Sequence, residues 1–119
     1  MKAIGIDLIE TERVAQSIER FGERFLARVY TEQELAYCKG QASSLAARWA
    51  AKEATAKALG TGIGDVSWRE IEVVCKLNGR PTLRLYGAAA DLAAQLGISE
   101  FAISLSHTKD YAVAFVVGE

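Results

Sequence analysis

Apolar and polar residues alternate from Lys2 to Leu8, with Ile4, Ile6 and Leu8 on one side and Ala3, Gly5 and Asp7 on the other, which is the two-residue period of a strand. From Glu10 to about Ala27 the period is helical: Val14, Ile18, Phe21, Phe25 and Leu26 form one stripe, and Gly22 marks a break between two helices. Thr31 followed by Glu34 has the form of a capping box and predicts a short helix through Leu35 and Tyr37 that stops near Gly40. Ser43 or Ser44 then caps a long helix that ends at Gly60, the residue type that best tolerates the left-handed conformation after a helix end. Beyond Gly64, Ile71, Val73 and Cys75 alternate with Glu72, Val74 and Lys76. Asn78-Gly79 is a hairpin signal within a turn from Leu77 to Pro81, and Thr82 to Tyr86 resumes extended structure. Ala88 to Leu96 reads as a helix closed by Gly97, and FAISLSHT and YAVAFVV as a second hairpin joined at Lys109 and Asp110. The expected order is β-ααα-ββ-α-ββ, an α+β fold with a single antiparallel or mixed sheet and its helices packed on one side.

Composition narrows the function classes. At 119 residues the chain has the length of one domain, spanning 1–119, without internal repeat, linker or low-complexity segment. Half its residues are hydrophobic, and the net charge of −1 gives no basic excess for binding nucleic acid through phosphates. No apolar run approaches the eighteen or so residues of a membrane helix. An acid precedes any signal-like apolar run, and Cys38 and Cys75 have no CxxC spacing, so we expect a reduced, cytoplasmic protein whose cysteines are small buried hydrophobes.

The chemistry-bearing stretch is RWAAKEATAKALGTGIG, from Arg48 to Gly64. Trp49, Glu53 and Lys57 stand at i, i+4 and i+8, so a carboxylate and an ammonium share one helix face, flanked by alanines that allow close approach. The GTGIG loop follows a helix C-terminus, whose partial charge repels anions, and no GK[ST] follows it; phosphate-loop physics does not apply. A phosphate there needs side-chain or metal charge, and Lys57 is the local donor. Asp7 either starts the turn after its strand or pairs with Glu53; two carboxylates beside a lysine suit magnesium together with substrate phosphate oxygens. His107, the only histidine, lies between Ser106 and Thr108 at the end of an apolar hairpin. Arg13, Arg20, Arg24 and Arg28 recur with Glu12, Glu19 and Glu23 on one face, which is either a solvated, salt-bridged surface or a docking surface.

GIDLIETERV, FLARVYTEQE, ARWAAKEATAKALGTGIG, NGRPTLRLYG and SLSHTKDYAVAFVV together resemble the holo-[acyl-carrier-protein] synthase family, the short-class 4′-phosphopantetheinyl transferases. The resemblance covers essentially the whole chain in order, and an early GxD with a later [FW]xxKExxxKA is its specific part. It implies a magnesium-dependent transfer of 4′-phosphopantetheine from coenzyme A to a serine of apo acyl carrier protein, releasing adenosine 3′,5′-bisphosphate, in the service of fatty acid biosynthesis. It further implies Asp7 and Glu53 as Mg2+ ligands, Lys57 at the transferred phosphate, Arg48 and His107 at coenzyme A, and Arg13, Arg20 and Arg24 as the docking face for an acidic carrier protein. A homotrimer with active sites between neighbours is implied as well. The alternative is a noncatalytic module that binds coenzyme A or an acidic protein, which has no use for Asp7, Glu53 and Lys57 together.

Overall fold

The computed structural model describes residues 2–119. Its elements are β1 (Ala3–Glu10), α1 (Thr11–Phe21), α2 (Glu23–Val29), α3 (Glu32–Cys38), α4 (Ala42–Ala58), β2 (Ile71–Cys75), β3 (Pro81–Leu85), α5 (Gly87–Gln95), β4 (Phe101–His107) and β5 (Tyr111–Gly118), with a 3-10 turn at Trp68–Glu70. Four helices separate β1 from the first hairpin, one more than the expected order counted, since Gly22 divides the first helical stretch in two as its position predicts. The Thr31–Glu34 capping box is present with both of its hydrogen bonds. No serine caps α4, however: Lys39 adopts φ +50°, Gln41 donates its N–H to the Cys38 carbonyl, and this tight turn starts the helix at Ala42, before either serine.

The strands form two antiparallel sheets, β1-β5-β4 and β2-β3, where a single sheet was expected. Strands β3 and β4 adjoin through Leu83, Leu85 and Phe101 without sharing a ladder. Alternation fixes which way each side chain points but not which strand edges meet. In the larger sheet Ala3 pairs with Gly118 and Asp7 with Ala114, which in turn pairs with Leu105.

Helix α4 crosses one face of β1 and β5, and ten of its seventeen residues are buried, so it is the central helix of the molecule. Its seam is made of small groups: Ala46, Ala47, Ala50, Ala51 and Ala54 against Ala112, Ala114 and Val116. The closest approach is at Gly5, where a Cβ would lie 1.8 Å from the Ala54 carbonyl oxygen. The space above Gly5, on the face that Asp7 shares, is therefore filled by helix backbone. Among the described residues no helix lies on the other face of this sheet: Ile4, Ile6 and Leu8 are each more than half exposed, and Phe115 and Tyr111 stand beside them.

Candidate active site

Gly5 and Asp7 lie on the same face of β1, so the close approach at Gly5 carries Asp7 toward the C-terminal turns of α4. There the Lys57 ammonium donates to Asp7 Oδ1 at 3.0 Å and to the Ile6 carbonyl at 3.1 Å. Lys57 occupies the last turn of α4, where the helix dipole favours a cation. The helix then closes in a Schellman arrangement around Gly60 (φ +79°), with Gly60 N–H on the Lys57 carbonyl and Thr61 N–H on the Ala56 carbonyl. The GTGIG segment is thus a helix stop and connector, as its position predicts.

One turn before Lys57, Glu53 completes the group. Burial and, next, the Asp7 carboxylate push its carboxyl above the usual range, while Lys57 and Arg13 pull it down. Two acids and two bases therefore feel one another at a half-open edge of the protein. A further turn back, Trp49 packs between Phe25 and Trp68, with ring centroids at 5.4 and 5.7 Å. The Arg13 guanidinium lies 5.8 Å from the Trp49 ring centroid, which ties α1 to this edge of α4.

Not every expected residue joins this group. Arg48 is buried on another side of α4, where its guanidinium meets Cys75 Sγ at 3.3 Å and the Tyr37 ring at 4.5 Å, and its Nε has no partner. His107 ends β4, paired with Ala112, which pairs with Ile9, two residues along from Asp7. It is exposed and lines an open recess of about 270 Å³ with Leu8, Tyr111 and Val113. Arg20 and Arg24 are exposed on α1 and α2; Arg20 stacks on Phe21, and Arg24 shares a groove with Phe21, Phe25 and Arg28. Cys38 is buried, which raises its thiol to about 11, and Cys75 is half-buried; both are free.

The residue that pattern reasoning passed over is Lys52, beside Glu53 and fully buried. Its ammonium contacts Glu34 Oε1 at 2.8 Å and donates to the carbonyls of Trp68 at 2.9 Å and Ile71 at 2.5 Å. Burial pushes its pKa down, and the Glu34 carboxylate works against that shift. The available signal was its place among alanines buried on every side of the helix.

The family model of the 4′-phosphopantetheinyl transferase superfamily matches residues 3–116. The chain belongs to this superfamily. Two superfamily relatives, the holo-[acyl-carrier-protein] synthases of Herpetosiphon aurantiacus and Koribacter versatilis, are 53% and 50% identical to it; the matches span 99% and 97% of this chain and 98% and 95% of those proteins. Among solved structures, Helicobacter pylori holo-[acyl-carrier-protein] synthase in complex with coenzyme A is 32% identical with a TM-score of 0.89, covering 98% of this chain and 99% of that one. The Neisseria meningitidis holo-[acyl-carrier-protein] synthase is 38% identical at the same TM-score, covering 98% and 97%. The superfamily match thus runs from β1, which carries Asp7, into β5.

Proposed function

We propose that the protein transfers 4′-phosphopantetheine from coenzyme A to a serine of apo acyl carrier protein. The observation that carries this reading is the convergence of Asp7, Glu53 and Lys57 in a chain similar over nearly its whole length to holo-[acyl-carrier-protein] synthases. The serine Oγ attacks the phosphorus on the pantetheine side of the pyrophosphate, forming a new P–O bond. The bond from that phosphorus to the bridging oxygen breaks, and adenosine 3′,5′-bisphosphate leaves with the bridging oxygen. The serine proton leaves through water at the edge that Asp7 and Glu53 line, with either carboxylate near enough to assist. Lys57 faces the phosphate oxygens, stabilises their growing charge and can protonate the departing phosphate.

The donor set fits magnesium. Asp7 and Glu53 offer two hard carboxylates whose mutual repulsion a divalent ion relieves. Among the described residues no group of three or more His, Cys, Asp or Glu side chains could hold a metal ion, so the remaining positions would fall to water and substrate phosphate, as magnesium prefers. When bound, Mg2+ supplies positive charge to the nonbridging phosphate oxygens. The exposed His107 is proposed to hold the rest of coenzyme A; Arg48, expected there as well, would have to leave Cys75 and Tyr37 to reach it. Arg13, Arg20 and Arg24, exposed on α1 and α2, are proposed to meet the acidic carrier protein. The uncovered apolar sheet face around Ile6 supports association of copies into a homotrimer, and the recess at His107 adjoins that face through Leu8 and Val113, which supports active sites shared between neighbours. The two free thiols accord with a single-domain protein working in the reducing cytoplasm.

Mass spectrometry of apo acyl carrier protein incubated with the protein, coenzyme A and Mg2+ tests the reading. A gain of one phosphopantetheine mass, abolished by a chelator, is the expected result. Binding without any gain in mass identifies a noncatalytic module instead.

A further inference from the structure

Four buried polar side chains from three elements meet behind the active-site edge: Thr31 and Glu34 at the start of α3, Lys52 of α4 and Glu72 of β2. Lys52 spends all three ammonium hydrogens on Glu34, Trp68 and Ile71, which belong to α3, the 3-10 turn and the start of β2. Glu34 is equally committed: Oε1 also accepts from Thr31 N–H, and Oε2 accepts from Val73 N–H, both at 2.9 Å. Glu72 accepts from the Thr31 hydroxyl and from the Tyr86 hydroxyl, extending the network toward α5. No donor of Lys52 is left over, so α4 cannot slide or turn here without breaking several charge-assisted bonds.

Glu53 is the next residue, and its other neighbour, Ala54, is held against β1 at Gly5. The two residues flanking Glu53 in the chain are thus held by different elements, Lys52 by α3, the 3-10 turn and β2 and Ala54 by β1. Slippage by one helical residue moves a side chain 1.5 Å along the axis and about 100° around it, and a displacement of about 1 Å at a reacting centre costs roughly a hundredfold in rate. A buried ion pair adds little stability over an apolar pair of the same shape, and in some proteins it fixes one arrangement instead. We propose that Lys52 and Glu34 are positioning residues for the transfer reaction, a pin that sets where Glu53 stands against Asp7; this rests on the functional reading above.

The test compares the parent with the double variant Lys52→Met/Glu34→Gln, which removes both charges together while its amide can still accept from the Thr31 N–H. Circular dichroism first establishes equal folded fractions. Single-turnover transfer from coenzyme A should then slow about ten- to a hundredfold, with KM for coenzyme A and for carrier protein nearly unchanged. Binding of Mn2+, followed by electron paramagnetic resonance, should weaken severalfold. A folded double variant with the parental rate and parental Mn2+ affinity overturns the proposal, as does a loss that appears only in KM. If the double variant does not fold, Glu34→Gln alone, which keeps the shape of the side chain, is held to the same split. A parent protein that transfers nothing refutes the functional reading, and the Mn2+ measurement still decides whether the pin sets the position of Glu53.

Discussion

Glu53 sits where burial and the Asp7 carboxylate both disfavour its charge, and the sign of the resulting pH dependence is fixed. A carboxyl whose pKa is raised in the folded state contributes stability that is fully present below its unfolded value, about 4.3, and lost as pH rises through the folded value. Without divalent ions, Glu53→Gln should therefore melt at a higher temperature than the parent at pH 8, while transfer falls by about a hundredfold or more. Thermal denaturation in a chelator and the mass-shift assay read the two effects separately. Gly5 makes the opposite case. An added methyl meets the Ala54 carbonyl rather than a movable side chain, so Gly5→Ala should cost about 1–3 kcal/mol in a denaturant titration. Alternation in the sequence already placed Gly5 on the face of Asp7, but not what fills the space above it, because a missing side chain does not name the backbone that takes its room.

Among the elements, α4 shows where pattern reasoning succeeds and where it stops. The 3.6-residue period brought Glu53 and Lys57 onto one face, as found. The same period leaves Arg48 and Lys52 ambiguous, since a charge between alanines reads as solvated until α3 and β2 are seen to cover it. Caps divide in the same way: Thr31 and Glu34 are a local signal and were legible, whereas the start of α4 follows from the turn at Lys39. Glu70 is a longer-range cap that begins two elements at once. It accepts from Ser67 N–H at 2.8 Å in the 3-10 turn and from Ala88 N–H at 2.6 Å at the start of α5. The Ser67 N–H bond holds its carboxyl below the usual range; burial, next in size, opposes it, and the Ala88 bond and the Ser67 hydroxyl add to the lowering. Stability from such a group is present above the unfolded value and lost as pH falls through the folded one. Replacing Glu70 by Gln should lower stability by about 1 kcal/mol at pH 7, and the gap to the parent should close toward pH 3 in melting curves.

At the scale of the whole molecule, two surfaces carry the expectations about partners. If α1 receives an acidic carrier protein, Arg20→Glu should raise KM for that protein by about an order of magnitude at low salt and leave KM for coenzyme A nearly unchanged. Steady-state kinetics in both substrates separates the two, and the effect should shrink as salt is added. If the bare side of the larger sheet joins copies of the chain, Ile6→Lys should yield monomers in analytical ultracentrifugation without unfolding them, because that side chain is more than half exposed. The alternation of β1 gave this side its apolar character; only the arrangement of α4 shows that no helix among the described residues covers it.

The ladder between Ala3 and Gly118 also sets when, in the life of each molecule, chemistry can begin. On a ribosome that adds about 5–20 residues per second, the first strand waits on the order of ten seconds for its mate. During that interval a greasy ribbon is offered to chaperones, and the aspartate that anchors the lysine has no sheet to stand on. A chain that ends before β5 leaves β1 without the strand it pairs with and Asp7 without its place opposite Ala114.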